Sequence, residues 1–137
     1  MIYITRRETF NAAHRLFRKE LSDEENMKTF GKCSNPNWHG HNYTLFVTVK
    51  GNINPKTGLL INLKDLSAII KTDIIDKVDH KNMNIEVDFM KDMLTSAENM
   101  AIKIWEQLEK PVQEMGAELH CIKLVETENN YVEYFGK

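Results

Sequence analysis

Hydrophobic and polar positions follow two different rhythms along this chain. From His41 the stretch "HNYTLFVTVKG" alternates, so Tyr43, Leu45, Val47 and Val49 share one face and Thr44, Phe46, Thr48 and Lys50 the other. A two-residue repeat of that length predicts a strand with one buried side. "IYITRRETF" is β-rich at its start and leads into "NAAHRL". "ELHCIKLVET" and "YVEYF" alternate on either side of Glu128, Asn129 and Asn130, residues suited to a hairpin turn. Elsewhere the period is helical. "NLKDLSAIIKTDIID" spaces Leu63, Leu66, Ile70 and Ile74 behind an Asn62 cap. "TSAENMAIKIWEQLEK" aligns Ala97, Ala101, Ile104, Trp105 and Leu108, with Thr95 and Glu98 at capping-box spacing. "LSDEENMKTFGK" reads as a short acidic helix capped by Ser22 or Asp23 and stopped by Gly31. The main order, ββααββ, predicts an α+β fold: an antiparallel four-stranded sheet with two helices on one face.

The chain has 137 residues and no stretch that reads as a linker, so a single domain over residues 1–137 is expected. Hydrophobic residues make up 42%, charged residues 28%, and the net charge is -2. That balance argues against nucleic-acid binding by charge. No segment reaches the ~18 apolar residues of a membrane span, and "MIYITRRETF" has no leader pattern, so a cytoplasmic protein is expected. Two distant cysteines, Cys33 and Cys121, make a poor disulfide framework and read as reduced thiols.

The chemistry concentrates in "CSNPNWHGH". His39 and His41, two apart on an extended strand, point the same way and can reach one metal, with His14 as third ligand if the first two strands pair. Three histidines and an open position describe a catalytic zinc. If Cys33 joins them, the site is closed and structural. Asp79 beside His80 has the makings of a proton relay, or of a solvated polar turn. Glu126 falls on the apolar face of its strand, where a carboxylate needs either a basic neighbour or a ligand's N–H groups.

"FNAAHRL", "GKCSNPNWHGHNY", "DHKNMN", "SAEN" and "ETENNYVEY", in that order, resemble the 6-pyruvoyl-tetrahydropterin synthase family from about Arg6 to Gly136. Five residues, Ser34 to Trp38, separate the cysteine from His-Gly-His. That spacing and "LSDEEN" are similar to the animal-type pyruvoyl enzymes. The bacterial-type 6-carboxy-tetrahydropterin synthases of deazapurine biosynthesis, the alternative, usually have three.

The resemblance implies a tunnelling fold, whose sheets close into a barrel in a homohexamer built as a dimer of trimers. It implies conversion of 7,8-dihydroneopterin triphosphate to 6-pyruvoyl-tetrahydropterin with loss of triphosphate, a step of tetrahydrobiopterin biosynthesis. It makes His14, His39 and His41 the ligands of one zinc per subunit and Cys33 the acid/base thiol, with Asp79 and His80 as its relay. Glu126 becomes the anchor of the pterin ring. Ser96 stands where the family commonly has threonine and keeps the hydroxyl for a pterin contact. Magnesium on the triphosphate is also implied, and no residue here marks it. A three-histidine zinc hydratase or hydrolase is the competing class, and it would need neither Cys33 nor Glu126.

Overall fold

The computed structural model describes residues Met1–Lys137. Strand β1 (Ile2–His14) and strand β2 (His39–Gly51) pair antiparallel from end to end, with Ile2 opposite Gly51 and His14 opposite His39. Strand β4 (Glu118–Thr127) lies antiparallel on the other side of β2 and forms a hairpin with β5 (Asn130–Tyr134), closed where Thr127 faces Asn130. The expected alternation holds. Tyr43, Leu45, Val47 and Val49 are completely buried, while Thr44, Phe46, Thr48 and Lys50 are only partly covered.

Between β1 and β2 runs α1 (Asp23–Phe30), closed by a full capping box. Ser22 accepts from the backbone of Glu25, and the Glu25 carboxylate accepts from the backbone of Ser22. After β2 come α2 (Leu63–Ile70), a π-helical turn (Lys71–Ile75) and α3 (Asp76–Val78). Asn62 caps α2 as expected. Leu66, Ile70, Ile74 and Val78 are fully buried along this composite helix, and Leu63 is largely exposed. Helix α4 (Ala97–Glu114) buries Met100, Ala101, Ile104, Trp105, Leu108 and Val112, and it packs on β4 and β5. One core of side chains joins the helices to the inner face of the sheet.

Two expectations need correction. The sheet is five-stranded and mixed, in the order β3-β1-β2-β4-β5, not four-stranded and antiparallel. The added strand β3 (Lys81–Asn82) runs parallel to β1 at Ala12 and Ala13. Two residues are too few to show a period, so tertiary contact creates this strand: the His80 amide donates to the Asn11 carbonyl at 2.7 Å and the Met83 amide to that of Ala13 at 2.8 Å. Helix α4 is not opened by a Thr95–Glu98 box. Its cap is Ser96, which accepts from the Asn99 amide at 3.3 Å, while Thr95 is consumed by buried contacts. The same helix continues past Lys110 through Pro111, because the fully buried Val112 holds its last turn against the core.

Candidate active site around three histidines

The register of β1 on β2 builds the site. Ala12 faces His41 and His14 faces His39, so the three imidazoles leave the same face at one end of the ribbon. Ring centroids of His14 lie 4.5 Å from those of His39 and 5.1 Å from those of His41. The nitrogens they offer all fall within 4.8 Å of one another. Gly40 fits closely between the two β2 histidines, since a Cβ there would stand 3.1 Å from the Ala12 carbonyl oxygen and β1 would have to give by a few tenths of an ångström.

His14 is 1% exposed, and its Nδ1–H donates to the Thr95 carbonyl at 2.8 Å. This fixes the tautomer and leaves Nε2 with its lone pair free. Burial, opposed in part by the Thr95 bond and reinforced by the other two histidines, lowers the His14 pKa from 6.5 to about 4. Burial first and His41 second also lower that of His39. Burial therefore favours, at His14 and His39, the neutral form that a metal requires. The buried side-chain atoms without a hydrogen-bond partner are His14 Nε2, both nitrogens of His39, His41 Nε2 and the Tyr43 hydroxyl. One unpaired nitrogen from each of three histidines, close enough to share an ion, is the donor set of a metal site, and these residues fit a metal.

Glu126 reaches the same place from β4. Its position falls at a register break, between Val125 opposite Tyr131 and Thr127 opposite Asn130, and such bulges re-aim a side chain. Its Oε1 lies 3.7 Å from His41 Nε2. It also lines a cavity of about 330 Å³ shared with Leu16, Ser96 and Glu98. A larger cleft of about 480 Å³, bordered by Phe17 and Trp38, lies away from Glu126. Of the two, the smaller is the one that both Glu126 and Ser96 line.

Cys33 sits in a 3₁₀ turn (Gly31–Ser34) pinned beside the end of β1, where the Leu16 amide donates to the Cys33 carbonyl at 2.8 Å. Its thiol is half-buried and stays outside the cluster of metal-binding nitrogens, so a closed site of one cysteine and three histidines is not formed. Asp79 accepts from the Asn11 amide at 2.9 Å and lies 3.0 Å from His80 Nδ1. The Asn11 amide, more than His80, holds the Asp79 carboxyl below the usual carboxylate range. His80 is 76% exposed at its side chain, has φ 61°, and makes no hydrogen bond to Cys33 in this chain. Strain at such a position is tolerated where the surroundings over-determine it.

Sequence reasoning missed two supports. Asn84 accepts from the Arg15 amide and donates to the Arg15 carbonyl, both at 2.9 Å, and binds the Thr95 hydroxyl at 3.0 Å. Asn84 and Thr95 thus lock the residue after His14 and the carbonyl that orients it. The "NMN" of "DHKNMN" carried the signal without its meaning. Arg15, beside the motifs, is spent on structure: it donates to the Ser34 carbonyl at 2.7 Å and lies over Phe17.

The sequence profile of the family described as 6-pyruvoyl tetrahydropterin synthase matches residues 3–137. The chain belongs to this family. Among family relatives, the 6-pyruvoyl tetrahydrobiopterin synthase of Pongo abelii is 49% identical over 134 residues, 98% of this chain and 91% of that one. The structure of the Caenorhabditis elegans 6-pyruvoyl tetrahydropterin synthase superposes with a TM-score of 0.91 at 37% identity, covering 99% of this chain and 96% of that one. A 6-carboxy-5,6,7,8-tetrahydropterin synthase from Haemophilus influenzae is similar at 27% identity, over 76% of this chain and 84% of that one. The pyruvoyl branch of the family is thus the nearer, in agreement with the five-residue spacing before His39.

Proposed function

We propose that this chain converts 7,8-dihydroneopterin triphosphate to 6-pyruvoyl-tetrahydropterin with elimination of triphosphate, in tetrahydrobiopterin biosynthesis. The observation that carries the reading is the converging set of orphaned histidine nitrogens beside the cavity that Glu126 and Ser96 line. The metal is zinc, held by His14, His39 and His41, whose all-imidazole set suits it. When bound, zinc makes the C–H bonds beside the substrate's hydroxyls more acidic.

Glu126 accepts from the pterin's ring N–H and exocyclic amine together, which satisfies a carboxylate otherwise half-buried without a strong partner. Ser96 adds a hydroxyl at the same cavity. Cys33, off the metal, takes the side-chain proton as thiolate. Asp79 orients His80, and His80 exchanges the proton with the thiol. Because His80 is exposed and unconnected to Cys33 here, the relay closes between copies. The homohexamer supplies that neighbour, its sheets joining edge to edge into a barrel lined by the face that carries Phe46 and the 57% exposed Tyr131, a face no helix covers. The protein works in the cytoplasm. Magnesium accompanies the triphosphate.

The test is to incubate zinc-loaded protein anaerobically with 7,8-dihydroneopterin triphosphate and identify the products by mass. Pyruvoyl-tetrahydropterin without acetaldehyde is expected. A carboxy product with acetaldehyde would transfer the chain to the other branch, and unchanged substrate would defeat the reading.

A further inference from the structure

All five buried side-chain atoms that lack a hydrogen-bond partner belong to one cluster, and four of them are imidazole nitrogens. The fifth is the Tyr43 hydroxyl. Tyr43 follows His41 by two residues on β2, so it leaves the same face one pleat further along. Its ring stands 5.6 Å from that of His41 and 6.3 Å from that of His14, and its far side is stacked on Phe10 at 4.8 Å. The residue is completely buried. Glu126 and Cys33 are near enough for their charges to act on the phenol, yet neither accepts a hydrogen bond from it.

A cation takes one nitrogen from each histidine and does nothing for a phenol O–H, which needs an acceptor. Leaving such a group buried and unpaired is costly, and the cost persists where a guest supplies the partner. We propose that the Tyr43 hydroxyl donates a hydrogen bond to the oxygen ligand that completes the coordination shell of the metal held by His14, His39 and His41. In turnover that oxygen is a side-chain hydroxyl of the pterin substrate, an extension that rests on the function proposed above. Tyr43 then does for the ligand what Thr95 does for His14: it sets the orientation of a group on the metal by bonding its far side.

The variant is Tyr43→Phe, which removes one atom and keeps the stacked ring. In metal-free protein its melting temperature should equal or exceed that of wild type, because an orphaned donor has been removed. A fall of several degrees would mean that the hydroxyl is bonded structurally, and would overturn the proposal. In cobalt-substituted protein, formate binding followed by the visible bands should weaken about tenfold, the worth of one hydrogen bond to a charged group, with cobalt affinity unchanged. Equal formate affinity in both proteins would also overturn it. With zinc-loaded protein, 7,8-dihydroneopterin should lose about tenfold in affinity on Tyr43→Phe, and 6-methyl-7,8-dihydropterin, which lacks the hydroxyls, should lose none. Equal losses for both pterins would refute the substrate contact. If wild type binds neither pterin, the functional reading fails, and the formate titration still decides the role of Tyr43.

Discussion

The histidine cluster and the Asp79–His80 pair hang on the same end of β1, at His14 and Asn11, yet one is enclosed within the chain and the other stands open to solvent. His14 is enclosed, its tautomer set by Thr95 and its strand end clamped by Asn84. His80 projects into solvent, with Asp79 as its one ionic partner. A metal site needs its ligands held before the ion arrives, so it pays to build it on paired strands. A relay of the kind proposed, working between copies, would have to remain open until the neighbour docks.

The sharpest way to break this contrast is at the thiol. Cys33→Ala should lower kcat by about 10² to 10⁴ while metal content, measured by atomic absorption, stays at the wild-type level. Loss of metal would make Cys33 a ligand and place it with the histidines. Mixing Cys33→Ala and His80→Ala chains under conditions that reassemble the oligomer should restore activity to about a quarter of wild type, as expected when each site draws on two copies. No recovery would mean that a single chain supplies both residues.

A smaller effect is expected from pH. In metal-free protein His14 titrates at about 4, against 6.5 unfolded. Between those values the unfolded chain binds a proton that the folded one refuses. The contribution of His14 to stability is therefore full above pH 6.5 and is lost as pH falls toward 4, a change of about 3 kcal/mol. His39 pulls in the same direction. Denaturant midpoints taken across that window check the sign, and a metal-free protein that keeps its stability at pH 4 would show that His14 is accessible to water. Next, Asn84→Ala should weaken zinc binding by 10- to 100-fold, about the range for an outer-shell partner; competition with a chromophoric chelator measures this. The smallest effect belongs to a part remote from both regions: Ser22→Ala removes the α1 cap and should cost about 1 kcal/mol, with zinc affinity unchanged.

Much of the cluster was legible because its logic is periodic. His39, His41 and Tyr43 share a face by the two-residue repeat, and a β1–β2 hairpin brings His14 opposite His39 whatever the loop between them does. Glu126 was legible for the same reason, through Ile122 and Leu124, which are fully buried beside it. The failures lie where function depends on a distant contact. Thr95 and Ser96 are both good caps, and the choice between them is made by Asn84 and Arg15, which claim the Thr95 hydroxyl from elsewhere in the chain. Strand β3 exists only because Asn11 and Ala13 have free carbonyls to offer.

Consider finally the π turn at Lys71–Ile75. Leu66, Ile70, Ile74 and Val78 recur every fourth residue, and all are fully buried. On an uninterrupted α-helix each such step overshoots the previous direction by about 40°, so the last of the four would have rotated away from the core. The wider turn absorbs that drift and brings the chain to Asp79 in phase with Asn11. It therefore acts as a timing element for the Asp79–His80 pair. Deleting one residue from it would set everything that follows back by about 100°, lifting Asp79 and His80 off β1 while the three histidines keep their places.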